Sequence, residues 1–554
     1  MPDIGVIYYI DGLSNLYRKN VDLATSVWGG LNAFQILHNR LAKLNVVGSV
    51  LLLPEEQVSA FSDFAAETKT NIVAFNTSRV IEKPYALNQQ HWAMEDGNGN
   101  DTWYGAAIAS VLEKYDWKHV LFIPVRNLLI DPSEVEESLR LYFAERFEVC
   151  LVTERVPGAE WAIFSRDLIL GLNRSNPEVM KIRGGLSWAV RKPLYPFKVG
   201  YYHCPRIRPS LNLDLRLNSQ RSLKCYQNTS YKDFATPDFS YGDWLTGSGW
   251  EDAYLDYGPL QINIEPSSVC KASCINCPNK TLQRDKGFMS LETFHRAIEG
   301  IEDKNQRIIF SGNGEPLLNQ HLGSMILEAF DFCSTLETSL QVLPDNDFPF
   351  KTLDHIRISV DAYDEKSFNR LRPGCSWKNI KTFIELASKQ KATYESIFPE
   401  IGLDFLRRKD SEADILPFIK KWKSLCSAVF KDNFFRYPFD SAINASPSNT
   451  NIAWTQISGE SCYCGKTTNT SSVDFEPFKR RPCRNALLNV TILSDGTVTL
   501  CPFDSEGTLF YLGNLSEGTM LELWRSDNAR AWRKSHLALD FADNYCVHCK
   551  DWYR

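Results

Sequence analysis

Cys270-Lys-Ala-Ser-Cys274-Ile-Asn-Cys277 follows directly on the strand-like run Gln261-Ile-Asn-Ile264, and this C-x3-C-x2-C loop decides how the rest of the chain is read. Three thiolates on one short loop can hold three irons of a cubane cluster, leaving the fourth iron without a protein ligand. An open iron can bind a substrate or cofactor. The alternative is zinc, but structural zinc normally takes four ligands, most often as paired C-x2-C or Cys/His knuckles. No fourth Cys or His adjoins this loop.

The loop sits in a series of βα units. Strand patterns recur near Gln261 to Ile264, Arg307 to Phe310, Thr338 to Val342, Ile356 to Val360, Glu400 to Phe405 and Asn433 to Tyr437. Helical patterns fill most gaps: one opens on the capping Ser290, and two others are Trp377 to Gln390 and Ala413 to Trp422. Six such units predict a partial barrel with its chemistry at the carboxyl ends of the strands.

Upstream, residues 1–225 alternate apolar runs with amphipathic stretches: Val6 to Ile10, Phe34 to Leu44, Val46 to Leu53, Ala106 to Lys114, His119 to Ile123 and Ser133 to Phe143. They predict an α/β domain with a mostly parallel sheet. Residues 226–258, rich in Tyr, Asp, Ser, Gly and Asn, read as a linker, and 259–440 as the barrel. Residues 441–474 read as a polar linker and 475–554 as a small C-terminal domain. That last unit carries a hairpin signal, Leu487 to Ser494, Asp495-Gly496, Thr497 to Cys501, then a helix around Met520 to Trp532.

The chain has 554 residues, 44% hydrophobic and 23% charged, which excludes a disordered or collagen-like protein. A net charge of −6 gives no global preference for nucleic acid or an anionic membrane. The start has no basic residue before its apolar run, and the uncharged run Leu44 to Pro54 is far short of the ~20 residues of a membrane span. A cytoplasmic protein is expected, and its fifteen cysteines point to metal rather than to a disulfide framework.

The cysteine loop and the motifs after it resemble the radical S-adenosylmethionine (radical SAM) superfamily. Phe310-Ser-Gly-Asn-Gly-Glu-Pro316 is similar to the family's Gly-Gly-Glu-Pro segment, and Ile358-Ser-Val-Asp361 ends the fourth strand. The resemblance implies that Cys270, Cys274 and Cys277 hold a catalytic [4Fe-4S] cluster whose open iron chelates S-adenosylmethionine. It assigns Gly312, Asn313, Gly314, Glu315 and Pro316 to the methionine ammonium, Asp361 to the ribose, Ser359 to an accessory contact and Arg372 to the cofactor carboxylate. Order on successive strands makes the match specific, since each motif alone is common. Asn276 departs from the family's aromatic residue before the third cysteine, leaving the adenine contact open.

In the C-terminal unit, Cys483-x12-Gly496-x4-Cys501 and Cys546-Val-His-Cys549 resemble the SPASM extension, as do Leu512-Gly-Asn-Leu515 and Leu521-Glu-Leu-Trp524. The resemblance implies a second, auxiliary [4Fe-4S] cluster on Cys483, Cys501, Cys546 and Cys549. Such a cluster, closed by four thiolates, serves electron transfer or support. A structural zinc ribbon is the alternative. One auxiliary cluster is expected rather than two, because the fuller pattern has further cysteines. Cys462 and Cys464 read as solvent-facing thiols of a loop, and Cys150, Cys204, Cys225, Cys333, Cys375 and Cys426 as core or incidental thiols.

In the front half, Tyr8-Tyr-Ile-Asp-Gly-Leu-Ser14, Gly29-Gly-Leu-Asn-Ala33 and Ile123-Pro-Val-Arg-Asn-Leu-Leu-Ile-Asp-Pro132 distantly resemble nucleotidyltransferases of the cytidylyl type. Arg126 or Asn127 stands where that family has a metal-binding Asp, and neither serves a hard cation as a carboxylate does. Only Arg18 and Lys19 could serve the phosphates. A degenerate, substrate-recognising domain is therefore expected, with Asp11 and Asp131 as the metal candidates of an active transferase.

The whole arrangement resembles the spiro-SPASM proteins. It implies an α/β enzyme that cleaves S-adenosylmethionine reductively to a 5′-deoxyadenosyl radical, fed by a donor such as flavodoxin or ferredoxin. A peptide or protein is the leading substrate, and a nucleotide-linked sugar the alternative. A zinc-stabilised, nucleotide-binding scaffold protein is the reading from another class. No membrane or nucleic acid is indicated.

Overall fold

Branched and aromatic runs such as Ile4–Tyr9 are buried along their whole length, as strands of a sheet covered on both faces must be. The structure, a computed structural model, describes residues 3–10, 22–76, 104–153, 158–181, 186, 190, 197–203, 215–275, 277–301, 306–393, 399–406, 412–414, 416–418, 420–422, 455–458, 482–541, 545–547 and 549. It divides into residues 1–254 and 255–554.

The first unit is built on seven strands: β1 (Ile4–Tyr9), β2 (Gly48–Pro54), β3 (Asn71–Phe75), β4 (His119–Pro124), β5 (Val149–Thr153), β6 (Ala162–Ser165) and β7 (Val199–His203). Their order is β3-β2-β1-β4-β6-β5-β7. All pairings are parallel except those of β6, which runs antiparallel to β4 and β5.

Asp131 follows β4 and caps the helix Pro132–Glu145. One carboxylate oxygen accepts from Ser133 N at 3.0 Å and Ser133 Oγ at 2.7 Å, and the other from Tyr241 N at 2.9 Å. This corrects its reading as a metal candidate: both oxygens hold the fold, with Pro132 at the first helical position where a missing N–H costs nothing. Asp11, Arg18 and Lys19 lie outside the described residues.

The expected linker at 226–258 instead carries two short helices. The helices Tyr241–Gly247 and Trp250–Asp256 stack Trp244 on Trp250 with centroids 5.7 Å apart. Arg40, fully buried, donates from Nε to Phe234 O at 2.6 Å and from Nη1 to Leu128 O, and lies 3.5 Å from the Phe239 ring centroid. Burial of Phe234, Phe239, Trp244 and Trp250 ties this stretch to the first unit despite its polar composition.

The second unit has nine strands: β8 (Gln261–Ile264), β9 (Arg307–Phe310), β10 (Cys333–Thr338), β11 (His355–Ser359), β12 (Glu400–Leu406), β13 (Thr455–Ser458), β14 (Asn489–Ile492), β15 (Thr497–Thr499) and β16 (Tyr511–Asn514). Their order is β13-β12-β11-β10-β9-β8-β14-β15-β16. The pairings from β13 to β14 are parallel, and β14, β15 and β16 form the antiparallel hairpin and its third strand. The expected strand at 433–437 lies outside the described residues, and β13 falls in the stretch read as a polar linker. The expected helix at 520–532 is two helices, Met520–Trp524 and Asp527–Ala538, because Ser526 caps the second.

Side chains alternate across this sheet. Ile262, Ile264, Ile308, Phe310, Leu336, Ile356, Ile358, Leu403, Phe405, Val490 and Ile492 join one hydrophobic core. The intervening residues, among them Asn263, Glu337, Arg357, Ser359 and Asp404, therefore face the other side, the interior of the partial barrel.

Candidate active site

The cysteine loop leaves the carboxyl end of β8. Cys270, Cys274 and Cys277 are each half-buried. Residues 371–375 run alongside: Ser273 N donates to Pro373 O at 2.7 Å and Ile275 N to Leu371 O at 3.2 Å. Gly374 makes this approach possible, since its φ is +88° and a Cβ there would stand 2.9 Å from Lys271 O. Gln341 clamps the start of the loop. Its Nε2 lies 2.9 Å from Cys270 Sγ, and its Oε1 accepts from Lys271 N at 2.9 Å.

Cys375, read from the sequence as an incidental thiol, is hydrogen-bonded to Cys274. That bond first, and the Arg372 charge after it, bring the Cys274 thiol down to about 6 against the opposing effect of burial. Cys375 is pushed up by the same bond, and burial raises Cys277. The loop thus favours a thiolate at Cys274 before any metal arrives.

The glycine-rich loop leaves the end of the neighbouring strand β9. Gly312 has φ +139°, and a Cβ there would fall 2.5 Å from Glu265 Cγ; at Gly314 it would fall 2.1 Å from Ser267 O. Any side chain would push this loop off the cysteine loop. Asn313 accepts from Asn279 Nδ2 at 2.6 Å, through its carbonyl. Glu315, 1% exposed, spends its carboxylate within the protein: it accepts from Thr338 Oγ1 at 2.6 Å, Leu317 N at 3.2 Å, and Ser339 N and Oγ at 2.9 and 2.6 Å. It braces the loop against the end of β10, with Pro316 opening a short 3-10 turn behind it.

Glu265, which the sequence reading missed, is the hub. It is 1% exposed and pairs with Arg284 through both oxygens, at 2.8 and 2.7 Å. It also accepts from Asn313 N at 2.9 Å and Ser494 N at 3.0 Å. One buried carboxylate therefore ties together β8, the glycine-rich loop and the C-terminal hairpin.

At the end of β11, Asp361 holds φ +59°. Arg372 donates to its Oδ2 from Nε at 2.7 Å and from Nη2 at 2.5 Å. The two residues assigned to ribose and carboxylate are thus engaged with each other, close to Cys274, while Ser359 lies opposite Asp404 in the β11–β12 register. On the same interior face, Arg357 pairs with Glu337 and, at 3.0 Å, with Asp404 Oδ2. Among the described residues Asp404 Oδ1 has no hydrogen-bond partner.

Burial pushes the Asp404 carboxyl up from 3.8 to about 6, more than Arg357 lowers it. Between those values Asp404 binds more protons in the folded than in the unfolded chain, so its contribution to stability falls as pH rises through that window and stays lower above it. Asp404→Asn is expected to flatten this dependence and to raise stability at pH 7.5 by up to about 3 kcal/mol. Thermal unfolding of both proteins at pH 4 and pH 7.5 checks it; an advantage of the variant over the wild type that is no larger at pH 7.5 than at pH 4 would refute it.

The C-terminal cysteines line one pocket, with Cys483, Cys501, Cys546 and Cys549 on its wall beside Phe510, Trp532 and His536. Cys483 precedes the helix Arg484–Leu488, Cys501 follows β15, and Cys546 and Cys549 lie beyond the helix Asp527–Ala538. Cys462, Cys464 and Asn276 lie outside the described residues. Among the described residues no three His, Cys, Asp or Glu side chains converge on a single metal ion. A cubane attaches each thiolate to a different iron, and the four thiols on the wall of this pocket supply that donor set.

The model of the radical SAM superfamily matches residues 264–398, and that of the SPASM iron-sulfur cluster-binding domain matches residues 483–550. No curated protein matches the chain. Among solved structures, a cytidylyltransferase from Leptospira borgpetersenii serovar Hardjo-bovis is 16% identical over 44% of this chain and 93% of its own, with a TM-score of 0.35. Streptococcus suis SuiB bound to the precursor peptide SuiA is 13% identical over 70% of this chain and 84% of its own, TM-score 0.36. Native anSMEcpe with bound AdoMet is 15% identical over 53% and 88%, TM-score 0.34. Likenesses this weak add nothing to what the family models show. Residues 264–398 thus form a radical SAM domain, the domain of enzymes that work with a [4Fe-4S] cluster and S-adenosylmethionine, and residues 483–550 a SPASM domain for iron-sulfur cluster binding.

Proposed function

We propose that the chain uses Cys270, Cys274 and Cys277 to hold the catalytic cluster and the barrel interior to present a peptide or protein for hydrogen abstraction. The observation that carries this reading is the three-cysteine loop at the end of β8, set directly beside the glycine-rich loop of β9. When bound, the cluster and S-adenosylmethionine supply reductive cleavage to methionine and a 5′-deoxyadenosyl radical, with an external reductant providing the electron.

The chain's own residues do the rest. Gly312 and Gly314 let backbone carbonyls come close to the methionine ammonium, and Glu315 fixes that loop rather than contacting the ligand. Arg372 holds Asp361 in its left-handed conformation, aiming the carboxylate at the end of β11 where a ribose diol would lie. Ser359 and Asp404 present polar atoms inside the barrel beside it. Cys483, Cys501, Cys546 and Cys549 hold an auxiliary cluster for electron transfer. The SPASM domain supports a peptide or protein substrate.

The test is 5′-deoxyadenosine production by anaerobically reconstituted, dithionite-reduced protein given the peptide fraction or the nucleotide-sugar fraction of a cell extract. Stimulation about tenfold or more by peptides alone supports the proposal. Stimulation by the nucleotide-sugar fraction alone overturns the substrate class and leaves the radical chemistry standing.

A further inference from the structure

His536 joins the four thiols of the C-terminal cavity, although no spacing rule marks it. It is 1% exposed, and its Nε2 stands 3.6 Å from Cys546 Sγ. The ring is fixed on its other side by Phe541, whose centroid lies 4.9 Å away at 60°. The helix that carries it, Asp527–Ala538, is pinned in turn. Ser526 caps its start, and the buried Arg533 donates to Trp524 O at 2.9 Å and to Asp256 Oδ1 at 2.8 Å.

Between a thiol and a neutral imidazole, either partner can donate the hydrogen. Once Cys546 is a thiolate on iron its sulfur has no proton, and the contact remains a hydrogen bond only if Nε2 carries the hydrogen. Loading the site therefore selects one tautomer of His536. Leu500, Phe510 and Trp532 line the same cavity, and an apolar wall strengthens a hydrogen bond to charged sulfur.

We propose that His536 is a positioning residue of the auxiliary cluster, donating Nε2–H to the Cys546 thiolate and so favouring the reduced form. This rests on the reading that Cys483, Cys501, Cys546 and Cys549 hold that cluster. Reduction adds negative charge that spreads onto the thiolates, and a fixed donor stabilises the more negative state more than the less negative one. The imidazole is no fifth ligand, because four thiolates already satisfy four irons and its nitrogen faces sulfur at hydrogen-bonding distance.

The test uses the full chain with Cys270, Cys274 and Cys277 all changed to Ser, so that the auxiliary cluster alone is observed, in a redox titration followed by electron paramagnetic resonance. His536→Leu is expected to make reduction harder by about tenfold in the oxidised-to-reduced ratio at fixed potential, 59 mV for a one-electron couple. His536→Gln, which keeps an N–H donor, recovers part of the shift, and the iron content stays the same in all three proteins. An unmoved potential in His536→Leu with its iron retained overturns the role of His536 alone. Absence of iron from the parent triple variant overturns the auxiliary-cluster reading and the proposal with it. Should His536→Leu fail to fold, pulsed resonance on the parent protein with 15N-labelled histidine decides: a weak coupling is expected, and either a strong, directly bonded coupling or none overturns it.

Discussion

Cys277→Ala is expected to reduce 5′-deoxyadenosine formation to the level of a protein-free control. In a three-thiolate site each sulfur carries its own iron, and with one iron already open, loss of another thiolate leaves two uncoordinated corners. The variant should lose about four irons per chain and keep those of the C-terminal site. Its fold should be retained, since the backbone N–H bond of Cys277 to Cys274 O at 3.3 Å survives the substitution. Cys483→Ala is the counterpart: it should lose the auxiliary iron and keep the ability to bind S-adenosylmethionine. Iron and sulfide analysis with chromatographic detection of 5′-deoxyadenosine measures both. Cofactor cleavage surviving in Cys277→Ala would remove the loop from the chemistry.

Glu265→Ala should have the largest effect on stability. Arg284 has a side chain only 8% exposed, and removing the carboxylate strands its charge in the interior, at a cost of about 3–5 kcal/mol. Asn313 N and Ser494 N lose their acceptor at the same time. The glycine-rich loop should therefore loosen, and affinity for S-adenosylmethionine should fall about tenfold. Replacing both partners, Glu265→Leu with Arg284→Met, should restore much of the stability but not the affinity, because the acceptor for Asn313 is still missing. Denaturant unfolding and calorimetric titration of the cofactor separate the two effects. A loss below about 0.5 kcal/mol, typical of a surface substitution, would show that Glu265 is not the hub.

The metal chemistry was legible because it is written in covalent spacing. Three cysteines within eight residues after a strand, and glycines at 312 and 314 after the next, need no tertiary information. The partners were not legible for the opposite reason. Gln341 is 71 residues from Cys270, and Arg284 is 19 from Glu265; only the barrel brings them together. Cys375 has no ligand spacing in the sequence, and only the fold sets it against Cys274. At 226–258 polar composition outweighed a signal that was present, the aromatics Phe234, Phe239, Trp244 and Trp250. At Asp131 the following proline and serine marked a helix start more plainly than a metal site.

The parallel pairing of β14 with β8, Asn489 opposite Gln261 through Ile492 opposite Ile264, bears on how the two cofactor regions arise and fail. Without β14, β8 would expose a row of unpaired N–H and C=O groups, the kind of edge that recruits other chains and aggregates. The C-terminal domain therefore acts as a chaperoning edge for the strand that leads into the cysteine loop. Backbone protection on the two strands should rise and vanish together as one cooperative unit. A chain interrupted before β14 loses more than the C-terminal cysteines, since the strand that leads into the cysteine loop becomes a liability in solution.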